Sequence, residues 1–121
     1  MTELEMIRAE VRKIGAKNVE RAKEHGDKFW TGRLYISDGL RKLGYSENSI
    51  DLNDVFTKYC EGDWGDTCSD DARINDNTVE TGFGDIMGKY HLNERTIYIK
   101  TTMAEDTETY IFLREEFSWM Y

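Results

Sequence analysis

Three runs rich in β-branched and aromatic residues fill the last third of the chain. They read FGDIMGKYHL, RTIYIKTTMA and TETYIFLREEF, at 83–92, 95–104 and 107–117. Ile97, Ile99 and Thr101 alternate with polar or aromatic neighbours, and this period of two places successive side chains on opposite faces of a strand. The polar segments LNER and AEDTE supply turns between the runs. The pattern predicts a three-stranded antiparallel meander.

Helical periodicity dominates the chain before this region. Residues 2–24 carry apolar side chains at steps of three and four, and Thr2 with Glu5 three residues later fits the pattern of a capping box. Gly15 allows a bend in this helix. A short strand is predicted at 30–37, a short helix ending at Gly44, a helix at 50–59, and a helix from a Thr67 cap to Thr81, closed by Gly82.

These elements predict an α+β fold in which N-terminal helices and one short strand pack on the C-terminal three-stranded antiparallel sheet. We expect an N-terminal amphipathic helix, residues 1–28, as an extension of a single α+β domain at 29–121. The chain has 121 residues, 39% of them hydrophobic, and no proline, which is typical of one folded domain.

The net charge of −8 is unevenly distributed. Residues 47–85 contain eleven acids and two bases, Lys58 and Arg73. Apolar side chains are interleaved with these acids, which favours a folded acidic face over a disordered acidic tail.

The cysteine content favours a reducing compartment. The chain has two cysteines, Cys60 and Cys68, a charged start without an apolar signal core, and no long apolar run. We therefore expect a cytoplasmic protein with reduced thiols. An exported protein with one disulfide is the alternative.

Several short motifs resemble a family of small proteins borne on plasmids and other mobile elements. They are Arg33 in GRLYIS, the G-D-W-G-D block at 62–66, the pair Asn75–Asp76, Tyr90 in GKYHL, and the stretches at 99–102 and 113–117. The resemblance covers about residues 32–117. Members are sometimes labelled a restriction-system modification subunit, but this chain lacks the glycine-rich cofactor loop and the proline-containing motif of a methyltransferase.

The segment CEGDWGDTCSDD, at 60–71, contains residue types that can bind metal ions. Zinc sites have Cys and His ligands at close paired spacings, whereas Cys60 and Cys68 are eight positions apart and His91 is distant. The aspartates do not follow the alternating ligand pattern of a calcium loop. We expect no metal and no cofactor.

The same segment contains paired carboxylates of the kind that act in acid–base catalysis. Asp63 and Asp66 flank Trp64 and could act as an acid–base pair if burial separated their pKa values. The stronger interpretation is structural: Gly62 and Gly65 permit a tight turn, the aspartates hold its backbone, and Trp64 is an apolar anchor. Since no histidine has a nucleophile at a recognisable spacing, we expect no catalytic residue and no enzyme.

The N-terminal helix carries both lysines or arginines and glutamates, so it is predicted to be a solvated helix with ion pairs and not a phosphate-binding helix. Its apolar stripe packs on the domain or on a second copy of the chain. We predict homodimerisation through this stripe, which comprises Leu4, Ile7, Val11 and Ile14.

Carboxylates repel nucleic acids and attract basic surfaces, which nucleic-acid-binding proteins display. The leading hypothesis is a small non-enzymatic inhibitor of a host defence nuclease, of anti-CRISPR or anti-restriction type, that acts by acidic mimicry or steric blocking and does not bind nucleic acid or membrane. Two alternatives remain: a structural or regulatory partner of another mobile-element protein, bound through the N-terminal helix, and a small metal-dependent hydrolase that uses the aspartate cluster. The predicted partner-binding residues are Glu61, Asp63, Asp66, Asp70, Asp71, Asp76 and Glu80.

Overall fold

The computed structural model describes residues 1–117. Residues 118–121, the end of the predicted domain, lie outside this range. The described chain contains four helices, four strands and a closing 3₁₀ turn in this order: α1 (Glu3–Glu24), β1 (Arg33–Ile36), α2 (Asp38–Lys42), α3 (Ile50–Cys60), α4 (Ser69–Thr81), β2 (Gly84–Leu92), β3 (Arg95–Met103), β4 (Glu108–Leu113) and the turn Arg114–Glu116.

The predicted meander is confirmed, since β2 pairs with β3 and β3 with β4, both antiparallel. The prediction of a three-stranded sheet is wrong in one respect. Strand β1 joins the same sheet parallel to β4, which gives four strands in the order β1-β4-β3-β2. The Arg33 amide donates to Thr107 O and the Ser37 amide to Ile111 O, so both ends of β1 are tied to β4. A four-residue run shows strand propensity in the sequence but not its partner, which is 75 residues away in the Arg33–Glu108 register.

One face of the sheet is covered by helices and forms the core. Helices α2, α3 and α4 contact β4 and β2 from this side. The alternation predicted for β3 is present, because Ile97, Ile99 and Thr101 are buried while Tyr98 and Lys100 are half-buried on the other face. We call that other face, which carries Met87, Lys89, Tyr98, Lys100 and Tyr110, the open face.

A row of hydroxyl groups crosses the core. The Thr109 hydroxyl donates to Thr31 O (2.6 Å), so Thr101 donates to Thr109 (2.6 Å), and the Tyr59 hydroxyl donates to Thr101 (2.7 Å). Tyr59 is fully buried, and burial raises its pKa far above the ordinary value. This row satisfies the polar groups of two core threonines and ties α3 to the segment that leads into β1.

Helix α1 runs without a break from Glu3 to Glu24, through Gly15. A side chain at Gly15 would place its Cβ 2.2 Å from Thr81 O, so glycine here permits close packing of α1 on the end of α4. Buried Asn18 donates to Gly82 O and Ala104 O, both at 2.9 Å. The second half of α1 thus packs on the domain, while residues 3–10 are exposed.

The first turn of α4 differs from the prediction. The helix begins at Ser69, and Cys68, not Thr67, is its N-cap residue, without a side-chain cap. The Thr67 hydroxyl donates instead to Trp64 O at 2.6 Å. Gly82 ends α4 in the left-handed conformation, as expected.

Glu116 secures the end of the described chain. Its buried carboxylate accepts hydrogen bonds from the Ser37 hydroxyl (2.6 Å), the Gly39 amide (3.0 Å) and the Leu113 amide (2.9 Å). The acidic ending of β4 therefore fastens the turn between β1 and α2.

Candidate functional site: the acidic segment and the adjacent groove

The G-D-W-G-D block forms a tight turn at the end of α3. Gly62 and Gly65 have φ values of +83° and +68°, which side-chain-bearing residues rarely adopt. The Asp63 carboxylate accepts from the Gly65 amide at 3.0 Å, and Trp64 is 5% exposed. The glycines, the aspartate and the tryptophan thus have the positions that the structural interpretation requires.

This turn covers the outer edge of β2. The Asp66 amide donates to Lys89 O (2.7 Å), and the Lys89 amide donates to Trp64 O (3.2 Å). The Tyr90 hydroxyl donates to Asp63 O at 2.6 Å, and burial raises the pKa of Tyr90 far above its ordinary value. An uncovered strand edge would be open to pairing with another chain.

Helix α4 covers the next part of the same edge. The buried Asn75 side chain donates to Met87 O (2.9 Å) and accepts from the Met87 amide (3.3 Å), as a paired strand would do. Beside it, the Trp64 indole donates to Asp76 at 2.9 Å. We call the turn Asp63–Asp66 together with Asn75 and Asp76 the edge clamp.

Two of the predicted partner-binding acids have a structural role in the edge clamp. Asp63 and Asp76 are exposed, yet their carboxylates hold the turn and the indole in place. Three of the motifs noted in the sequence, the G-D-W-G-D block, the Asn75–Asp76 pair and Tyr90, meet in this one network.

Asp66 forms a surface ion pair. Its carboxylate lies 2.9 Å from His91 Nε2 and 4.0 Å from Lys89 Nζ. The hydrogen bond from His91, then the charge of Lys89, lowers the pKa of Asp66. Asp70 lies 3.7 Å from Arg73 on the exposed face of α4.

Five of the predicted partner-binding acids are exposed and have carboxylates that make no hydrogen bond within the edge clamp. Among residues 1–117, three of these five acids have no salt-bridge partner: Glu61, Asp71 and Glu80. We call this set the outer carboxylates: Glu61, Asp66, Asp70, Asp71 and Glu80.

The outer carboxylates do not all share one side of α4. Ala72, Asn75 and Val79 face the domain. At 3.6 residues per turn, Asp71 lies on one side of this inward line and Glu80 on the other. The structure therefore divides the predicted acidic face into two flanks.

A groove of about 570 Å³ lies beside the first flank, between α4 and the open face. Helix α4 contributes Asp71, Ile74 and Asn75 to it. The remaining lining residues come from the loop before α4, from β2, from β3 and from the last described residue: Asp66, Thr67, Cys68, Asp85, Met87, Gly88, Lys89, Tyr98, Lys100 and Phe117.

The floor of this groove contains lysine and aspartate side chains from neighbouring strands. Lys89 and Lys100 stand on neighbouring strands, and Lys100 Nζ lies 3.8 Å from Asp85. Phe117 packs on Tyr98 with ring centroids 5.4 Å apart, which gives the groove an aromatic wall. None of these residues belongs to a site predicted from the sequence, although the period-two alternation places 85, 87 and 89 on one face of β2.

Both thiols are free. Burial, followed by the charges of Asp27 and Glu61, raises the pKa of Cys60 to about 11. Within residues 1–117 no group of three or more His, Cys, Asp or Glu side chains is arranged to hold a metal ion. In the same range no helix has the length and apolar character needed to cross a membrane.

The predicted oligomerisation stripe is partly uncovered. Leu4 and Ile7 are 55% and 54% exposed, whereas Val11 and Ile14 are half-buried near the domain. The structure contains one copy of the chain, so dimerisation stays a prediction.

A comparison with models of known protein families, with curated proteins and with solved structures finds no match to this chain.

Proposed function

We propose that the protein is a small non-enzymatic binding protein that recognises a basic protein surface through its outer carboxylates. The observation that carries this proposal is that Glu61, Asp71 and Glu80 are exposed on a folded segment and have no ion-pair partner among residues 1–117. A folded, uncompensated acidic surface attracts cationic partners and raises their association rate.

The partner class follows from the same charge. Proteins that grip nucleic acids display lysines and arginines, because phosphate contacts dominate their affinity. A host defence nuclease is such a protein, and the resemblance to mobile-element proteins supports it as the target. Occupation of its basic surface would compete with nucleic acid, by mimicry or by steric blocking.

The proposal is tested by capture from a host lysate at about 50 mM and about 500 mM salt, since screening shortens the reach of exposed charges. The test variant combines Glu61→Gln, Asp71→Asn and Glu80→Gln, which break no ion pair in residues 1–117. The matched control removes three other exposed charges, with Glu20→Gln, Glu24→Gln and Glu105→Gln.

We expect a nucleic-acid-binding protein that is retained at low salt, released at high salt, kept by the control and lost by the test variant. Equal retention by the two variants would contradict the proposal.

A second candidate function is supported by α1. Leu4 and Ile7 form an exposed apolar pair on the first two turns of a helix whose second half is anchored by Asn18. Such a face suits a second copy or another mobile-element protein. Analytical sedimentation of the wild type and of the double variant Leu4→Ser/Ile7→Ser tests dimerisation. If α1 forms a dimer interface, the wild type sediments as a dimer and the double variant as a monomer.

A further inference from the structure

The groove between α4 and the open face combines an apolar surface with an acidic rim. Ile74 is 58% exposed although it lies next to Asn75, which is buried. Met87, Tyr98 and Phe117 continue this apolar surface across the floor and along the wall. An exposed isoleucine at the entrance of an aromatic-walled groove is a site where an incoming apolar side chain would lose contact with water.

The charges of the groove are largely balanced except at one position. Lys89 is near Asp66 and Lys100 is near Asp85, at 4.0 Å and 3.8 Å. Asp71 has no such partner among residues 1–117. The lining residues within 1–117 therefore carry one net negative charge, on the side formed by α4.

The size of the groove limits the occupant. At about 570 Å³ it is within the range of pockets that hold small ligands, about 300–1,000 Å³. A few side chains of a protein segment fill such a space, whereas a folded domain does not enter it.

We propose that this groove holds a short segment of the partner protein in which a large apolar side chain lies next to arginine or lysine. This inference rests on the proposed function and locates its anchor. The apolar side chain packs between Ile74 and Tyr98, and the cationic side chain pairs with Asp71 at the rim. The second flank, with Glu80, then acts mainly through long-range attraction.

The test uses a synthetic octapeptide with one arginine on each side of a leucine–phenylalanine pair, titrated into the ¹⁵N-labelled protein and followed by NMR. We expect shifts concentrated at the amides of Asp71, Ile74, Met87 and Lys89. A peptide with glutamates in place of the arginines is expected not to bind, because Asp71 would repel it.

Variants make the site assignment specific. Ile74→Ser is expected to weaken peptide binding about tenfold, which corresponds to the loss of one well-packed aliphatic side chain. Asp71→Asn is expected to weaken it about threefold, as for an exposed charge pair. The matched controls Ile50→Ser and Asp54→Asn change an exposed isoleucine and an exposed aspartate on α3, away from the groove, and are expected to leave the affinity unchanged.

The outcomes separate the two proposals. Shifts outside the groove, or equal affinity of the wild type and Ile74→Ser, would overturn the groove assignment, and a salt-sensitive partner in the capture experiment would still support the proposed function. Peptide binding in the groove without any such partner would overturn the proposed function alone. A dimer in sedimentation that Ile74→Ser dissociates would show that the groove holds a second copy and would overturn the inference.

Discussion

Replacement of Asn75 by alanine tests the edge clamp at a buried polar residue. Asn75 is 5% exposed and makes both of its hydrogen bonds to the backbone of Met87 in the outer strand. Alanine removes the donor and the acceptor together and leaves a small cavity between α4 and β2. The loss therefore comprises two hydrogen bonds in a part-buried setting, not a change of helix propensity, since alanine is the better helix former.

The magnitude follows from these two bonds. A buried backbone group left without its partner costs about 1–3 kcal/mol. Because this site is partly accessible to water, we expect Asn75→Ala to lower the free energy of unfolding by about 2–4 kcal/mol. For a chain of this size that corresponds to a fall of roughly 10 °C in Tm.

The assay is urea denaturation followed by circular dichroism, together with amide hydrogen exchange. Asn77→Ala is the matched control, since Asn77 is an exposed asparagine on the same helix. We expect it to change stability by less than about 0.5 kcal/mol. In Asn75→Ala the Met87 amide should also exchange faster, because it donates to Asn75 in the wild type. A loss below about 0.5 kcal/mol in Asn75→Ala, with unchanged exchange at Met87, would refute the clamp.

Three further predictions follow from single groups. Tyr59→Phe should lower the free energy of unfolding by about 1–2 kcal/mol in urea denaturation, because it removes the fully buried donor at the start of the hydroxyl row; an unchanged value would contradict that row. The Asp66 carboxyl should titrate by NMR below its ordinary pKa of about 3.9 and should move upward in His91→Gln, so its contribution to stability is present above about pH 4 and is lost as the pH falls further; identical midpoints would exclude the ion pair in solution. At pH 8, iodoacetamide should modify exposed Cys68 before Cys60, whose thiol is half-buried with a pKa of about 11, as read by peptide mass mapping; equal rates would contradict the burial of Cys60.

Local patterns predicted the helices and the meander well, because their signals are contained in short windows. The stripe of α1, the cap at Thr2 and the alternation of β3 each occupy fewer than about twenty residues, which is the range over which periodicity can be read. The place of β1 could not be predicted in this way. Its partner is set by a contact far along the chain, and parallel pairing leaves no turn signal between the strands.

The site was predicted less completely than the fold. The sequence indicated correctly that the glycines and Trp64 build a turn, but it could not show that Asp76 accepts from the Trp64 indole, because that bond joins two elements. Likewise no predicted site contained Lys89, Lys100 or Asp85. These side chains are close to one another only because of the register between β2 and β3. The acidic segment therefore contains two kinds of exposed aspartate: Asp63 and Asp76, whose carboxylates accept hydrogen bonds within the edge clamp, and the others, whose carboxylates do not.

Competition with nucleic acid is the most direct test of a role for the outer carboxylates. The protein retained at low salt in the capture experiment is purified and loaded with a fluorescent DNA duplex, and displacement is followed by anisotropy. The wild-type chain should displace the duplex at low salt. The variant carrying Glu61→Gln, Asp71→Asn and Glu80→Gln should need a concentration at least about tenfold higher for the same displacement, which corresponds to a tenfold higher Kd for the captured protein. Displacement of the duplex by both chains at the same concentration would contradict a role for these carboxylates in recognition.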